Sequence, residues 1–187
     1  VDAVMTNQAG VCIGVSTADC IPVLLYDEEH HAVAAIHAGW RGTLARIVHK
    51  TIQEMAFTYH TDPKKLKAVI GPGISIDSFE VGDEVYEAFE QAAFPMEEIA
   101  EQRPNAAFSA DPAGRERLAA EGNIVQPLKW HLNLPLCNKQ ILLHCGVAEE
   151  NIQDCGICTF QHSDEYFSAR KLGTESGRIY TAILLEK

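Results

Sequence analysis

A cysteine and a histidine seventeen residues apart, Cys20 within Ser16-Thr17-Ala18-Asp19-Cys20-Ile21-Pro22 and His37 within His37-Ala38-Gly39-Trp40-Arg41-Gly42, bring a thiol and an imidazole beside a glycine-flanked guanidinium. Thiolate and imidazole are soft-to-borderline ligands that suit zinc or copper, and two strand ends could hold them about 2.0 to 2.3 Å from an ion. The same pair could act as a nucleophile and its base, the ring taking the thiol proton. Spacing separates neither reading from the other, nor from the plainer one of a buried free thiol and a hydrogen-bonded core histidine. Asp19, next to the thiol, points to the other face of a continuous strand and could orient a ligand from behind or simply be solvated.

The elements that must position these groups follow from periodicity. Val11 to Val15, Ile21 to Tyr26 and His31 to His37 are apolar and β-branched around the polar turn Asp27-Glu28-Glu29-His30, which predicts an opening β-meander with Cys20 and His37 near strand ends. Leu44, Ile47, Val48, Thr51, Ile52 and Met55 then recur at helical spacing to about Tyr59, with Thr43 as the expected N-cap. Leu66 to Ile70 reads as a buried strand ahead of the stiff turn Gly71-Pro72-Gly73, and Asp83 to Ala93 reads as a helix. Residues 94–123 carry mixed signals that suggest short helices and loops.

Leu128, Trp130, Leu132 and Leu134 alternate as in a half-buried strand. Pro135 to Cys145 is expected to be a helix, with the proline in its first turn and Gly146 just past its end. Asn151 to Cys158 and Ile179 to Leu185 close the chain as strands. Strands in runs with helices interspersed predict one α+β domain over residues 1–187, layered and built on mixed β-sheets.

Other groups have less to offer. Cys155-Gly156-Ile157-Cys158 is a CxxC without a second pair at zinc spacing, so two small strand residues are the simpler reading. His131 is placed on the polar face of its strand, and His162, in a loop near Arg170, is the remaining histidine expected to approach the site. There is no G-x-G-x-x-G, P-loop, G-x-S-x-G or H-E-x-x-H, and the H-x-E with P-C-x-x-C pattern of zinc deaminases is missing.

A net charge of -11 argues against tracking nucleic-acid phosphates, although a local cluster of Arg41, Arg170, Lys171 and Arg178 could hold a small anion. No apolar run reaches the roughly twenty residues that span a bilayer, so neither nucleic acid nor membrane is an expected partner. Six cysteines without a regular framework favour free thiols in a reducing cytoplasm. Oligomeric state has no signal here.

Taken in order, Thr17-Ala18-Asp19-Cys20-Ile21-Pro22, His37-Ala38-Gly39-Trp40-Arg41-Gly42, Ile70-Gly71-Pro72-Gly73-Ile74, Phe79-Glu80-Val81-Gly82, Cys158-Thr159, Phe167-Ser168-Ala169-Arg170 and Gly177-Arg178 make the chain resemble the YfiH-type laccase-domain family. That family was first described as multi-copper polyphenol oxidoreductases and later as purine nucleoside phosphorylases with adenosine deaminase activity. The resemblance implies an α/β/β/α layering and a metal, zinc or alternatively copper, held by Cys20, His37 and a further histidine from a preceding segment. The first histidine here is His30 and the first residue is Val1, so a native N-terminal segment is expected to be missing, and metal binding to be weak.

The resemblance further implies purine nucleosides and phosphate as substrates, with Arg41, Arg170 and Arg178 holding phosphate. Asp19 and Glu80 are the acid candidates beside Cys20 and His37. Asn133 replaces a usual aspartate, and Ala169 and Lys171 replace a commoner tyrosine and arginine. A copper-dependent polyphenol oxidase, a metal-independent Cys-His hydrolase such as an amidase, and a non-catalytic binding domain are the rival classes.

Overall fold

The computed structural model describes residues 2–105 and 126–186. Its elements are β1 (Ala3–Thr6), β2 (Cys12–Thr17), β3 (Ile21–Asp27), β4 (Ala32–Ala38), α1 (Trp40–Leu44), α2 (Ile47–Tyr59), β5 (Lys67–Ile70), β6 (Glu80–Val81), α3 (Asp83–Gln91), α4 (Met96–Ile99), β7 (Ala100–Pro104), β8 (Leu128–Leu132), α5 (Leu134–His144), β9 (Ile152–Asp154), α6 (Ala169–Leu172) and β10 (Ile179–Leu184). The part of the loop reading that falls on 106–123 lies outside the described residues. Its described part holds α4 followed by strand β7.

The central sheet has the order β1-β4-β3-β5-β9, antiparallel except for the parallel β5–β9 pair. β4 is buried almost throughout because both of its faces are covered. Ala32, Ala34, Ile36 and Ala38 meet Val48, Ile52 and Met55 of α2 and Ile141 and Leu142 of α5. Val33 faces the other way, onto Ile13 and Leu185 beside the β2–β10 ribbon. A third antiparallel sheet, β6-β8-β7, is separate. The expected α+β architecture with mixed sheets is therefore present, and among the described residues no helix is long and apolar enough to cross a membrane.

Four local expectations change. The opening is not a meander: β2 pairs with β10, from Thr17↔Ile179 to Cys12↔Leu184, and the chain swings into the central sheet at Asp19, whose φ is 80°. Thr43 is not an N-cap but a fully buried residue inside α1, and Arg46 at φ 54° divides the expected helix into α1 and α2. Arg46 is held there by donation to the Ala92 carbonyl at 3.0 Å and by stacking 4.4 Å over Phe94. Local periodicity cannot register this break, because the apolar stripe runs across it.

The strand expected over 151–158 is confined to β9, since Gly156 at φ 64° turns the chain before Cys158 rejoins Gly73 through an isolated bridge. His131 is buried, because the segment ahead of β6 lies against the face read as polar and brings the Ile76 carbonyl 2.8 Å from its Nδ1. The strand carrying it stops at Leu132, where Asn133 caps α5 by accepting the Leu136 N–H at 3.0 Å.

Candidate functional site

The β3–β4 register sets Pro22 opposite His37 and Ile21 opposite Ala38, so Cys20, one step before β3, faces the start of α1. At that corner a methyl group on Gly39 would stand 2.9 Å from Cys20 Sγ and 3.7 Å from His37 Nε2. The two polar atoms thus flank one point, and the absence of a side chain at Gly39 leaves it open. Gly73 plays a similar part behind them, where a Cβ would sit 3.1 Å from the Asp19 carbonyl.

His37 is partly exposed, and its Nδ1 lies 3.6 Å from Asp2 Oδ1, which leaves Nε2 free toward the thiol. A carboxylate behind an imidazole is the usual way to orient a metal-binding ring. Burial pushes the Cys20 thiol above its ordinary pKa, Asp19 raises it further, and Arg178 pulls in the opposite direction. A thiolate and an imidazole are donors of the type that suits zinc or copper. They are two, however, and among the described residues no group of three or more His, Cys, Asp or Glu side chains could hold a metal.

Asp19 is buried and fully engaged. Thr159 Oγ1 donates to its Oδ1 at 2.7 Å and the Arg170 backbone N–H to its Oδ2 at 2.6 Å. The second of these bonds answers an open amide in the first turn of α6, while Ser168 accepts from the Lys171 N–H at 3.2 Å. Arg170 then reaches the Glu80 carbonyl with Nη1 at 2.8 Å and stacks 5.4 Å from the Phe79 ring. The structure therefore joins Asp19, Arg170 and the Glu80 backbone in one chain of contacts, attached to Cys20 through the peptide bond.

Arg178 donates from Nη1 to the Ser176 and Gly177 carbonyls at 2.7 and 2.9 Å. Arg41 is exposed on α1, its guanidinium 4.2 Å over the Trp40 ring, with no ion-pair partner among the described residues. His162 is an exposed loop residue with no contact to Cys20 or His37 among those described. Thr159 and Asp2 were not singled out for a role by residue type. Thr159 had one signal, its place in the recognised Cys158-Thr159 segment, and Asp2 had none.

Of the CxxC pair, Cys155 is exposed and Cys158 buried. Burial opposes ionisation of Cys158, but hydrogen bonds with Ser75, Gln161 and Ser78 leave its pKa below the ordinary thiol value. A cavity of about 400 Å³ is lined by Arg46, His49, Phe94, Glu98, Cys137 and His144 among others, and includes none of the site residues.

Fold and corner together define the class: a layered α+β domain of mixed sheets with a Cys–His pair able to share one ligand. The chain belongs to the family described as "Multi-copper polyphenol oxidoreductase laccase", which it matches over residues 1–186. It is 43% identical over 187 residues to a purine nucleoside phosphorylase of Bacteroides thetaiotaomicron and 39% identical over 183 residues to the adenosine deaminase RL5 of an unknown prokaryotic organism. These matches cover 100% and 98% of this chain, which spans 62% of the length of each relative. The solved structure of YlmD from Geobacillus stearothermophilus superposes with a TM-score of 0.79 at 26% identity, covering 100% of this chain and 62% of that one. Bacillus licheniformis YfiH shares the fold with a TM-score of 0.80 at 24% identity, over 99% of this chain and 61% of that one.

Proposed function

We propose that the chain carries the catalytic corner of a purine nucleoside phosphorylase with adenosine deaminase activity. What supports this reading is the approach of Cys20 Sγ and His37 Nε2 to one point at Gly39, two residues before Arg41, whose guanidinium has no ion-pair partner among the described residues, in a chain whose relatives are named for those activities. Cys20 and His37 would hold a zinc ion, which when bound supplies a Lewis acid and lowers the pKa of its water toward about 7.

In phosphorolysis a phosphate oxygen attacks the ribose anomeric carbon, the glycosidic C–N bond breaks, and the purine leaves with a proton. Guanidinium forks match phosphate bidentately, and Arg41 has its donors free, whereas Arg170 and Arg178 each spend Nη1 on backbone carbonyls and keep the rest of the fork. Glu80 is assigned the proton for the departing base, or for ammonia in deamination. Asp19, with both oxygens engaged, holds the Arg170 turn in place.

The rival metal-free Cys-His hydrolase would use the same thiol and imidazole as nucleophile and base. Activity that survives a chelator but is lost to a thiol alkylator would favour it. The oxidase reading rests on the family description, and oxygen uptake with a phenol substrate separates it.

Arg41→Ala is the test of the phosphate role. The phosphate KM should rise about ten-fold or more, in line with loss of a charge-assisted pair. The melting temperature should hold, as expected for an exposed side chain. Equal phosphate dependence in both proteins would remove Arg41 from the site.

A further inference from the structure

Asn138 is an odd residue for its place. It sits in the middle of α5, fully buried, where asparagine is a poor helix former and a buried amide needs partners. Its Nδ2 donates to the Leu134 carbonyl at 2.9 Å and to Thr43 Oγ1 at 3.1 Å, while its Oδ1 has no partner among the described residues. Turning the amide over would set its oxygen about where Nδ2 now stands, 2.9 Å from the Leu134 carbonyl oxygen, two acceptors face to face, so the orientation is fixed.

Thr43, also fully buried, passes its own hydroxyl proton toward the Ala38 carbonyl at 3.4 Å. The Thr43 N–H bonds the Gly39 carbonyl at 2.8 Å. Thus Asn138 grips Thr43, and Thr43 grips both ends of the peptide stretch between His37 and Trp40. That stretch is the corner at which Gly39 separates Cys20 Sγ from His37 Nε2, and from which Arg41 projects.

We propose that Asn138 and Thr43 are a positioning pair for the proposed site, a buried polar clamp that fixes the β4–α1 corner against α5 and so sets His37, Gly39 and Arg41 relative to Cys20. The proposal rests on the functional reading above for its kinetic part only. A polar pair with one unsatisfied atom is a poor device for stability, since two apolar residues of the same shape fill such a space at no loss. What apolar contact does not supply is direction, and the two directional bonds to Thr43 and from it hold the corner in one orientation.

The test is the double variant Thr43→Val with Asn138→Leu, which keeps volume and removes the bonds, together with Thr43→Val and Thr43→Ser alone. The double variant should melt at or above the wild-type temperature. Its kcat/KM for phosphorolysis should fall about ten-fold or more through a raised phosphate KM, because small displacements of substrate-holding groups are costly. Thr43→Ser, which keeps the hydroxyl, should retain the activity that Thr43→Val loses.

The ring signal of His37 in the NMR spectrum should shift in Thr43→Val and stay in Thr43→Ser, whatever reaction the protein catalyses. Inactive wild type with a shifted His37 signal would remove the functional reading and keep the clamp. An unshifted His37 signal in Thr43→Val, or Thr43→Ser as defective as Thr43→Val, would overturn the clamp. If the double variant fails to fold, the two single variants decide by the same readings.

Discussion

At Gly39 the absence of one carbon atom leaves the corner between Cys20 and His37 open. A Cβ there would press against Cys20 Sγ at 2.9 Å, tighter than the van der Waals contact of carbon and sulfur, and the thiol would have to turn away. Gly39→Ala should therefore cost about ten-fold or more in kcat/KM while unfolding much as the wild type does. Unchanged kinetics would mean that the orientation of Cys20 is immaterial. Cys20, His37 and Arg41 could be picked out of the sequence because their chemistry resides in their side chains and in the spacing of two apolar strands. The part played by Asp19 could not, because it depends on a φ of 80° and on partners 140 and 151 residues away.

Elements end where single side chains take over backbone amides, and two such places are open to measurement. Asn133→Ala removes the acceptor of the Leu136 N–H at the start of α5 and should cost about 1 kcal/mol in urea unfolding, with Asn133→Asp close to wild type. In the β3–β4 turn, Asp27 accepts from the amides of Glu29 and His30, both at 3.1 Å, and pairs with His30 Nδ1 at 3.0 Å. Burial would raise the Asp27 pKa, but these and other hydrogen bonds hold it below the usual carboxylate value. Its contribution is thus complete above the unfolded-state pKa of about 3.9 and is lost as pH falls through the lower folded value. The melting temperature of wild type should drop across that window, and Asp27→Asn should show a shallower drop. Equal slopes would mean that Asp27 titrates alike in both states. Helix α5 was legible because Pro135 and Gly146 mark its two ends. The division of α1 from α2 was not, because Arg46 is held by Ala92 and Phe94, contacts that only the folded chain creates.

For the whole molecule, the sheets bring the Cys20 thiol and the His37 ring to one corner at Gly39, in a chain that spans 62% of the length of two of its relatives. Catalytic zinc sites use three protein ligands. This chain is therefore expected to retain well under one zinc per molecule after dialysis, and to respond to added zinc. One tightly held zinc per chain would show that a further donor completes the site. The most direct measurement is product identification from adenosine incubated with the zinc-supplemented protein, with and without phosphate. Adenine and ribose 1-phosphate that appear only with phosphate, alongside inosine from deamination, are the expected result. Adenosine left intact under both conditions would contradict it.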